Sequence, residues 1–370
     1  MKRRTFISAL CGGVALGLGA SRAIAAKKGD ATEIADWERF EFAEKKMGVP
    51  TRIIMHAPDA ETANAAATAV WKRFDDLNAA LSDYDSESEI VRVCRESGKI
   101  GAPVAISADL RRTLEESRRF CVLTDGAFDA TVSPVVKLWR RSRYFNERPP
   151  EKILDAAKKT VGLDGWVLTE AGVVTAPGVR FDVGGIAKGF ALDEALETLR
   201  TFGIESALVD AGGDLRLGAA PPGKDGWTIG VAGLVKDGEP AFYRTLANVG
   251  VASSGDANRF LEIDGVRYSH IIDPRTGEPL TRRCVATVVA ADATAADALA
   301  SAVCVLGLDE TPKLLERLKK VDAKDAGVDG RFETLETILY RVKNDADAPF
   351  TPEEIDVFAT PGFADVAKTR

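Results

Sequence analysis

Histidine and cysteine are scarce in this 370-residue chain: there are two of the first, five of the second, and no Cys-x-x-Cys pair. The ligand sets of common structural zinc and iron–sulfur sites are therefore hard to assemble, and a bound metal is expected to be a hard one with oxygen ligands. Long apolar runs are missing too. The run from Ala9 to Ala20 falls short of the ~20 residues that a membrane-crossing helix needs. Positive charge is in deficit, since 49 Lys plus Arg stand against 56 Asp plus Glu for a net charge of -7. That balance argues against a nucleic-acid or anionic-membrane partner. No repeat occurs at solenoid periods. What remains, 45% hydrophobic and 28% charged, is an ordinary globular balance, and the length suits one large domain or two coupled ones.

The first 25 residues read as an export signal. Lys2, Arg3 and Arg4 precede the apolar run, and Ala23-Ile24-Ala25 supplies an A-x-A cleavage site. The Arg3-Arg4-Thr5-Phe6-Ile7 start and a run interrupted by Gly12, Gly13, Gly17 and Gly19 resemble a twin-arginine signal, which implies periplasmic export after folding. Cleavage after Ala25 removes four basic side chains and no acid, which lowers the charge from -7 to -11. Cys94, Cys121, Cys284 and Cys304 stay with the mature chain; four cysteines allow three complete pairings, and no chemistry is assigned to them.

Apolar spacing predicts a helix over 59–81, through Ala63, Ala67, Val70, Phe74, Leu77 and Leu81, and a second over 109–123 capped by Ser107. A third begins near Ile186 and ends at Gly203. A last pair covers Thr294 to Leu306, ending at Gly307, and Thr311-Pro312 through Lys319. Strand-like segments lie at 207–209, 227–231, 241–246, 267–272 and 285–290. Strands and helices do not alternate strictly, so the expected class is α+β, with mixed sheets and packed helices, and not Rossmann. From about Asp345 the chain turns polar and aperiodic, and residues 345–370 are expected to form a loosely held tail after a domain spanning 26–344.

Four constellations carry candidate chemistry. Phe181-Asp182-Val183-Gly184-Gly185-Ile186-Ala187-Lys188-Gly189 runs from a strand through a Gly pair into a helix, a form that lets backbone amides approach phosphate. It matches neither the Walker A nor the G-x-G-x-x-G spacing, and a plain tight turn explains it as well. Asp297 and Ser301, four apart on a helix, project oxygens from one face as a partial Mg2+ shell; a first-turn charge plus a packing serine is the competing account. His270, in Tyr268-Ser269-His270-Ile271-Ile272-Asp273, is a general-base candidate or a satisfied core histidine. The Thr124-to-Pro134 segment, with Phe128, is either a ring-binding edge or a loop packing its phenyl into the core.

In order along the chain, Met47-Gly48, Leu81 to Asp85 with Ser88-Glu89, Gly126 to Asp129, Asp182 to Gly189, Gly212-Gly213-Asp214, Ser254-Gly255-Asp256, Ser269 to Gly277 and Ala296 to Ser301 resemble the ApbE-like flavin transferases. The likeness runs from about Met47 to Gly307. It implies a two-lobed ApbE-like fold and an FAD:protein FMN transferase that releases AMP and leaves FMN in phosphoester linkage on a Thr or Ser of an acceptor protein. It further implies that Asp182, Lys188, Met47, Tyr84, Ala127, Phe128, Asp129, Ser269 and Ile272 contact FAD. Gly185 (through its carbonyl), Asp297 and Ser301 would hold Mg2+, and His270 would be the base. The acceptor would be an exported subunit of a membrane redox complex. Val49 and Ser301 each stand where the family usually has threonine. Two rivals use the same residues: an FAD pyrophosphatase that gives FMN and AMP, and a periplasmic protein that binds flavin without turnover.

Overall fold

The computed structural model describes residues 37–234, 240–256, 259–321, 331–343 and 350–363. The expected export signal at 1–25 lies outside the described residues. The chain opens with a hairpin of β1 (Glu38–Lys46) and β2 (Val49–Ala57), followed by α1 (Ala60–Leu81), α2 (Glu89–Ile100), α3 (Ala108–Leu123), α4 (Ser133–Phe145) and α5 (Glu151–Lys158). A ribbon of β3 (Trp166–Thr169) and β4 (Gly172–Thr175) precedes α6 (Ala187–Thr201). Then come β5 (Ala207–Ala211), β6 (Asp214–Leu217), β7 (Trp227–Val231), β8 (Phe242–Leu246) and β9 (Gly250–Gly255). Two short hairpins follow, β10 (Phe260–Ile263) with β11 (Val266–Ser269) and β12 (Ile272–Asp273) with β13 (Glu278–Pro279). The chain continues through β14 (Cys284–Ala290), α7 (Ala293–Lys320), β15 (Glu336–Val342) and β16 (Ile355–Ala359).

An eight-stranded sheet in the order β1-β2-β5-β6-β9-β14-β15-β16 is antiparallel at every pairing. Because side chains alternate across a strand, Ile53 and Met55 enter one core while Ile54 enters another; Ala286 and Val288 divide from Val285 and Val289 in the same way. The first core lies under α1, α6 and the first half of α7. The second is closed by the β7–β8 hairpin, with Trp227, Ile229 and Val231 facing the sheet. A third cluster of Val135, Trp139, Leu154, Ile263, Tyr268 and Ile272 builds a smaller lobe from α4, α5 and the short hairpins. This is the mixed α+β, non-Rossmann class that the sequence pattern indicates. Among the described residues, no helix is long and apolar enough to cross a membrane.

One expectation changes. Residues 350–363 are not a loose tail: β16 pairs with β15 at the sheet edge, and Phe363 is fully buried in the second core against Phe242. The strand is only five residues long, half-buried and set among Pro349, Pro352 and Pro361, so its apolar residues do not stand out as a strand in the surrounding polar segment. Before α1, where the sequence pattern marks no element, lies the β1–β2 hairpin, whose first strand is mostly exposed. The two expected C-terminal helices are both present within α7, separated at Gly307, whose φ 66° and ψ -164° are not helical. Arg282 Nη2 donates to the carbonyls of Cys304 and Val305 just before that break. All four cysteines are buried, free thiols.

Side-chain oxygens of Asp59, Ser88, Ser107 and Asp292 cap α1, α2, α3 and α7. The start of α6 has no side-chain cap, so its first amides are left for other partners. The start of α7 is gripped twice. Asp193 on α6 accepts from the amides of Ala293 and Thr294 and from Thr294 Oγ1, and Arg331 bonds the Asp292 carboxylate. Burial, followed by the neighbouring Asp292 charge, pushes the Asp193 carboxyl up to about 6.

Glycine permits this grip. A Cβ on Gly189 of α6 would lie 2.2 Å from the Ala293 carbonyl oxygen, and one on Gly250 would lie 2.3 Å from the Ala293 nitrogen. Both obstacles are backbone, which cannot rotate aside. Gly189→Ala should therefore lose stability by about 1–3 kcal/mol, because overpacking outweighs the roughly 1 kcal/mol that alanine gains in a helix. Gly98→Ala in α2, where the nearest atom is 3.5 Å away, should instead stabilise by up to about 1 kcal/mol. Urea unfolding of both variants checks the contrast; equal effects would show that the α6–α7 crossing is not tight.

Candidate active site

A cavity of about 410 Å3 opens between the α6–α7 crossing and the smaller lobe. Its walls include Tyr84, Ala127, Phe128, Asp129, Asp182, Gly185, Lys188, Ser269, His270, Ile272, Asp297 and Ser301. Twelve of the thirteen residues singled out from sequence thus meet in one place. Met47 is not in the lining. It occupies the β1–β2 turn with φ 48°, and its side chain packs against the edge of the main core, while Val49, two residues on, faces the cavity instead.

One end of the cavity is the α6–α7 crossing. Asp297 lies one turn into α7, beyond the Asp292 cap, so it is not the first-turn capping charge of the competing account. Its Oδ2 accepts the Gly189 amide at 3.1 Å, and Oδ1 faces Lys188 Nζ at 3.4 Å. Lys188 also bonds Asp214, whose Oδ1 accepts the Ser253 amide at 3.1 Å. Burial raises the Asp297 carboxyl to about 6, with Lys188 opposing and Asp214 reinforcing the shift. Burial would lower the Lys188 pKa, but Asp297 and Asp214 outweigh it and raise that pKa. Ser301, one helical turn beyond Asp297, meets Ser254 Oγ at 3.1 Å. A Cβ on Gly185 would lie 3.3 Å from Ser301 Oγ, so the glycine turn and the α7 oxygens do converge.

That donor set consists of one carboxylate, hydroxyls and a backbone carbonyl. Asp297 carries a buried carboxylate oxygen whose protein partner, Lys188, sits at the long end of bonding range. This chemistry fits a hard divalent cation with oxygen ligands. Among the described residues no group of three or more His, Cys, Asp or Glu forms a metal cage, so water or a ligand's own oxygens would complete such a shell.

The turn is shaped from below. Asp182 Oδ1 accepts the Gly184 amide at 2.9 Å, and Oδ2 accepts Arg140 Nη2 at 2.9 Å, so both carboxylate oxygens are occupied within the protein. Asp182 therefore shapes the turn more directly than it touches a ligand. Asp129 is similar: its Oδ1 accepts from the Thr131 amide and hydroxyl at 2.7 and 2.6 Å. Phe128 is buried edge-on against Phe120, so the packing role and the cavity edge coexist in one side chain. Ser269 Oγ accepts the Ile271 amide at 3.1 Å, which bends the chain between β11 and β12 and presents His270 to the cavity.

His270 stands with its backbone amide donating to the Arg259 carbonyl at 3.0 Å and its Nδ1 at 3.2 Å from the same oxygen. A carbonyl only accepts, so Nδ1 carries the proton and Nε2 keeps a free lone pair. Burial, with the charges of Arg259 and Arg143 behind it, pulls the imidazole down to about 4. It is neutral across the physiological range. Arg140, Arg143, Arg259, Asp214 and Ser254 also line the cavity and were not assigned roles from sequence. Asp214 alone had a local signal: Gly212 and Gly213, at φ 67° and 95°, turn the chain so that it opens β6 beside Lys188.

The ApbE family model matches residues 47–324. An FAD:protein FMN transferase of Haemophilus influenzae is 34% identical over 254 residues, covering 65% of this chain and 72% of that protein. The FAD:protein FMN transferase of Treponema pallidum is 32% identical over 326 residues, covering 81% and 88% respectively. Among solved structures, the ApbE protein from Thermotoga maritima superposes with a TM-score of 0.75 at 28% identity, over 90% of this chain and 100% of that one.

The His270 ring is expected to titrate at about 4 rather than at its ordinary 6.5, with the Nδ1–H tautomer above that pH. Nitrogen-15 NMR of the imidazole reads both. Arg143→Met removes one nearby positive charge and should move the midpoint upward. A midpoint near 6.5 in the unaltered protein would contradict the burial and charge argument.

Proposed function

The chain belongs to the ApbE family and is an FAD:protein FMN transferase, and from that premise we propose how its own residues carry the reaction. The observation that supports the reading best is the convergence of Gly185, Lys188, Asp297 and Ser301 in the cavity that also holds His270. The first group suits a diphosphate with a hard cation; the second supplies a base.

In this proposal the Lys188 ammonium, at the start of α6 beside the Gly184–Gly185 turn, binds the diphosphate of FAD. Gly185 through its carbonyl, Asp297 and Ser301 would hold Mg2+, and the ion supplies charge neutralisation on the diphosphate. Lys188 counters the negative charge that develops on the bridging oxygen as its bond to the FMN phosphorus breaks. His270 Nε2 takes the proton from an acceptor Thr or Ser hydroxyl. That oxygen forms a bond to the FMN phosphorus, the bridging P–O bond breaks, and AMP leaves with the electron pair. Positioning and charge account for most of such a reaction, because phosphoryl-type transfer needs little covalent help from the protein. Arg143 and Arg259 also gain from an anionic ligand. It would offset their two charges, which add to burial in lowering His270.

The Arg3-Arg4 start and the Ala23–Ala25 cleavage site support export, so we place the enzyme in the periplasm and its acceptor among exported subunits of membrane redox complexes. Incubation of the pure protein with FAD, Mg2+ and a candidate acceptor domain tests the reaction by the mass of the acceptor. Covalent FMN with equimolar AMP is expected. Free FMN and AMP with unlabelled acceptor would identify hydrolysis instead, and unchanged FAD a binding protein. His270→Gly should lower transfer at least ~100-fold while FAD still binds, the usual scale for loss of a general base. Asp297→Ala should abolish the dependence of the rate on Mg2+. Full activity in either variant removes the role assigned to that residue.

A further inference from the structure

Arg140 on α4 lies in the cavity wall but has no part in the transfer steps above. Its Nη1 donates to Asp83 Oδ2 at 2.6 Å and its Nη2 to Asp182 Oδ2 at 2.9 Å. These carboxylates come from distant parts of the chain, the segment after α1 and the segment before α6. Both are well enclosed, with side chains 5% and 10% exposed. Without a cation between them they would confront each other as like charges in a low-dielectric setting.

The same guanidinium lies 4.4 Å from the centroid of the Tyr84 ring. Tyr84 is 76% exposed, so apolar burial does little to fix its ring against the cavity. A cation over the face of the ring supplies the missing attachment. At the opposite end of the arrangement, Asp182 holds the Gly184 amide and so sets the turn that places Gly185 beside Ser301. One side chain therefore connects an aromatic wall to the glycine turn.

We propose that Arg140 is a positioning residue for flavin recognition, mounting the Tyr84 ring as a stacking surface for the planar flavin while holding the Asp182 turn in the form that receives the diphosphate. This rests on the flavin-transfer reading. A flavin dinucleotide spans both ends of the linked unit, so the residue favours ligands that carry a planar ring system and a diphosphate together. The arrangement also predicts where the energy appears. Arg140 touches none of the atoms that react, so its loss should weaken binding and spare turnover once FAD is saturating.

Binding is read by the fluorescence change of FAD on titration with full-length protein in EDTA, where no metal-dependent turnover occurs. Arg140→Met is expected to weaken FAD binding by about tenfold, the scale of one lost interaction of this kind, and to raise the KM for FAD with kcat within threefold. Arg140→Lys keeps a cation between the carboxylates and should recover at least threefold of that loss. Tyr84→Leu, at an exposed position that cannot threaten folding, should also weaken binding. In the double variant the two losses should overlap, giving an affinity within twofold of Arg140→Met alone, because the ring has already lost its mount. A purely structural role would lower the melting temperature without this coupling to Tyr84. If Arg140→Met does not fold, the same cycle is run with Arg140→Lys. Single variants within twofold of the unaltered protein, or losses that multiply in the double variant, overturn the proposal. If the unaltered protein binds no FAD, the transferase reading falls and this inference with it. If it binds and transfers flavin while the variants match it, only the inference falls.

Discussion

Backbone contact between the starts of α6 and α7 is the constraint on which the cavity depends. Gly189 and Gly250 let the chain around Ala293 settle where no side chain would fit, and Asp193 then secures its amides. Asp297, one turn further, arrives within reach of Lys188 and the Gly189 amide as a consequence. A single methyl group at the crossing would separate the helix that carries the oxygens from the turn that carries the amides. The packing that stabilises the main core and the geometry that serves chemistry are thus one set of contacts.

Charge is arranged around that crossing against the average of the chain. A protein of net charge -7 gathers Arg140, Arg143, Lys188 and Arg259 around one cavity. Arg140 and Lys188 are held by buried carboxylates and act as fixed parts of the wall. Arg143 is different: burial and the adjacent charges of Arg259 and Arg140 depress its pKa, and Arg259 together with Arg143 itself adds to the burial that lowers His270. An anionic ligand beside Arg143 and Arg259 would relieve that repulsion.

The carboxylates divide by what their oxygens do. Those of Asp129 and Asp182 are used in turns, where accepting amide protons gives the loop its form. Asp214 and Asp297 instead share the Lys188 ammonium. Desolvation, with Asp214 beside it, raises the Asp297 carboxyl to about 6 against the opposing charge of Lys188. Four acids that look alike in sequence therefore serve two purposes, and only the partners reveal which.

The sequence by itself determined the main helices, through the spacing of residues such as Val70, Phe74 and Leu77 and through caps such as Ser107, because these are local interactions between near neighbours. It also contained, as an ordered set of short motifs, most of the cavity lining and the family to which the chain belongs. Tertiary structure alone decided that Met47 turns toward the core and Val49 toward the cavity, that residues 355–359 close the sheet edge, and that Arg140 joins Asp83 to Asp182. Those outcomes depend on contacts between segments far apart in the chain. A guanidinium on one helix bears no local mark of the two carboxylates it will meet, and a five-residue, half-buried edge strand takes its place only when another strand lies beside it.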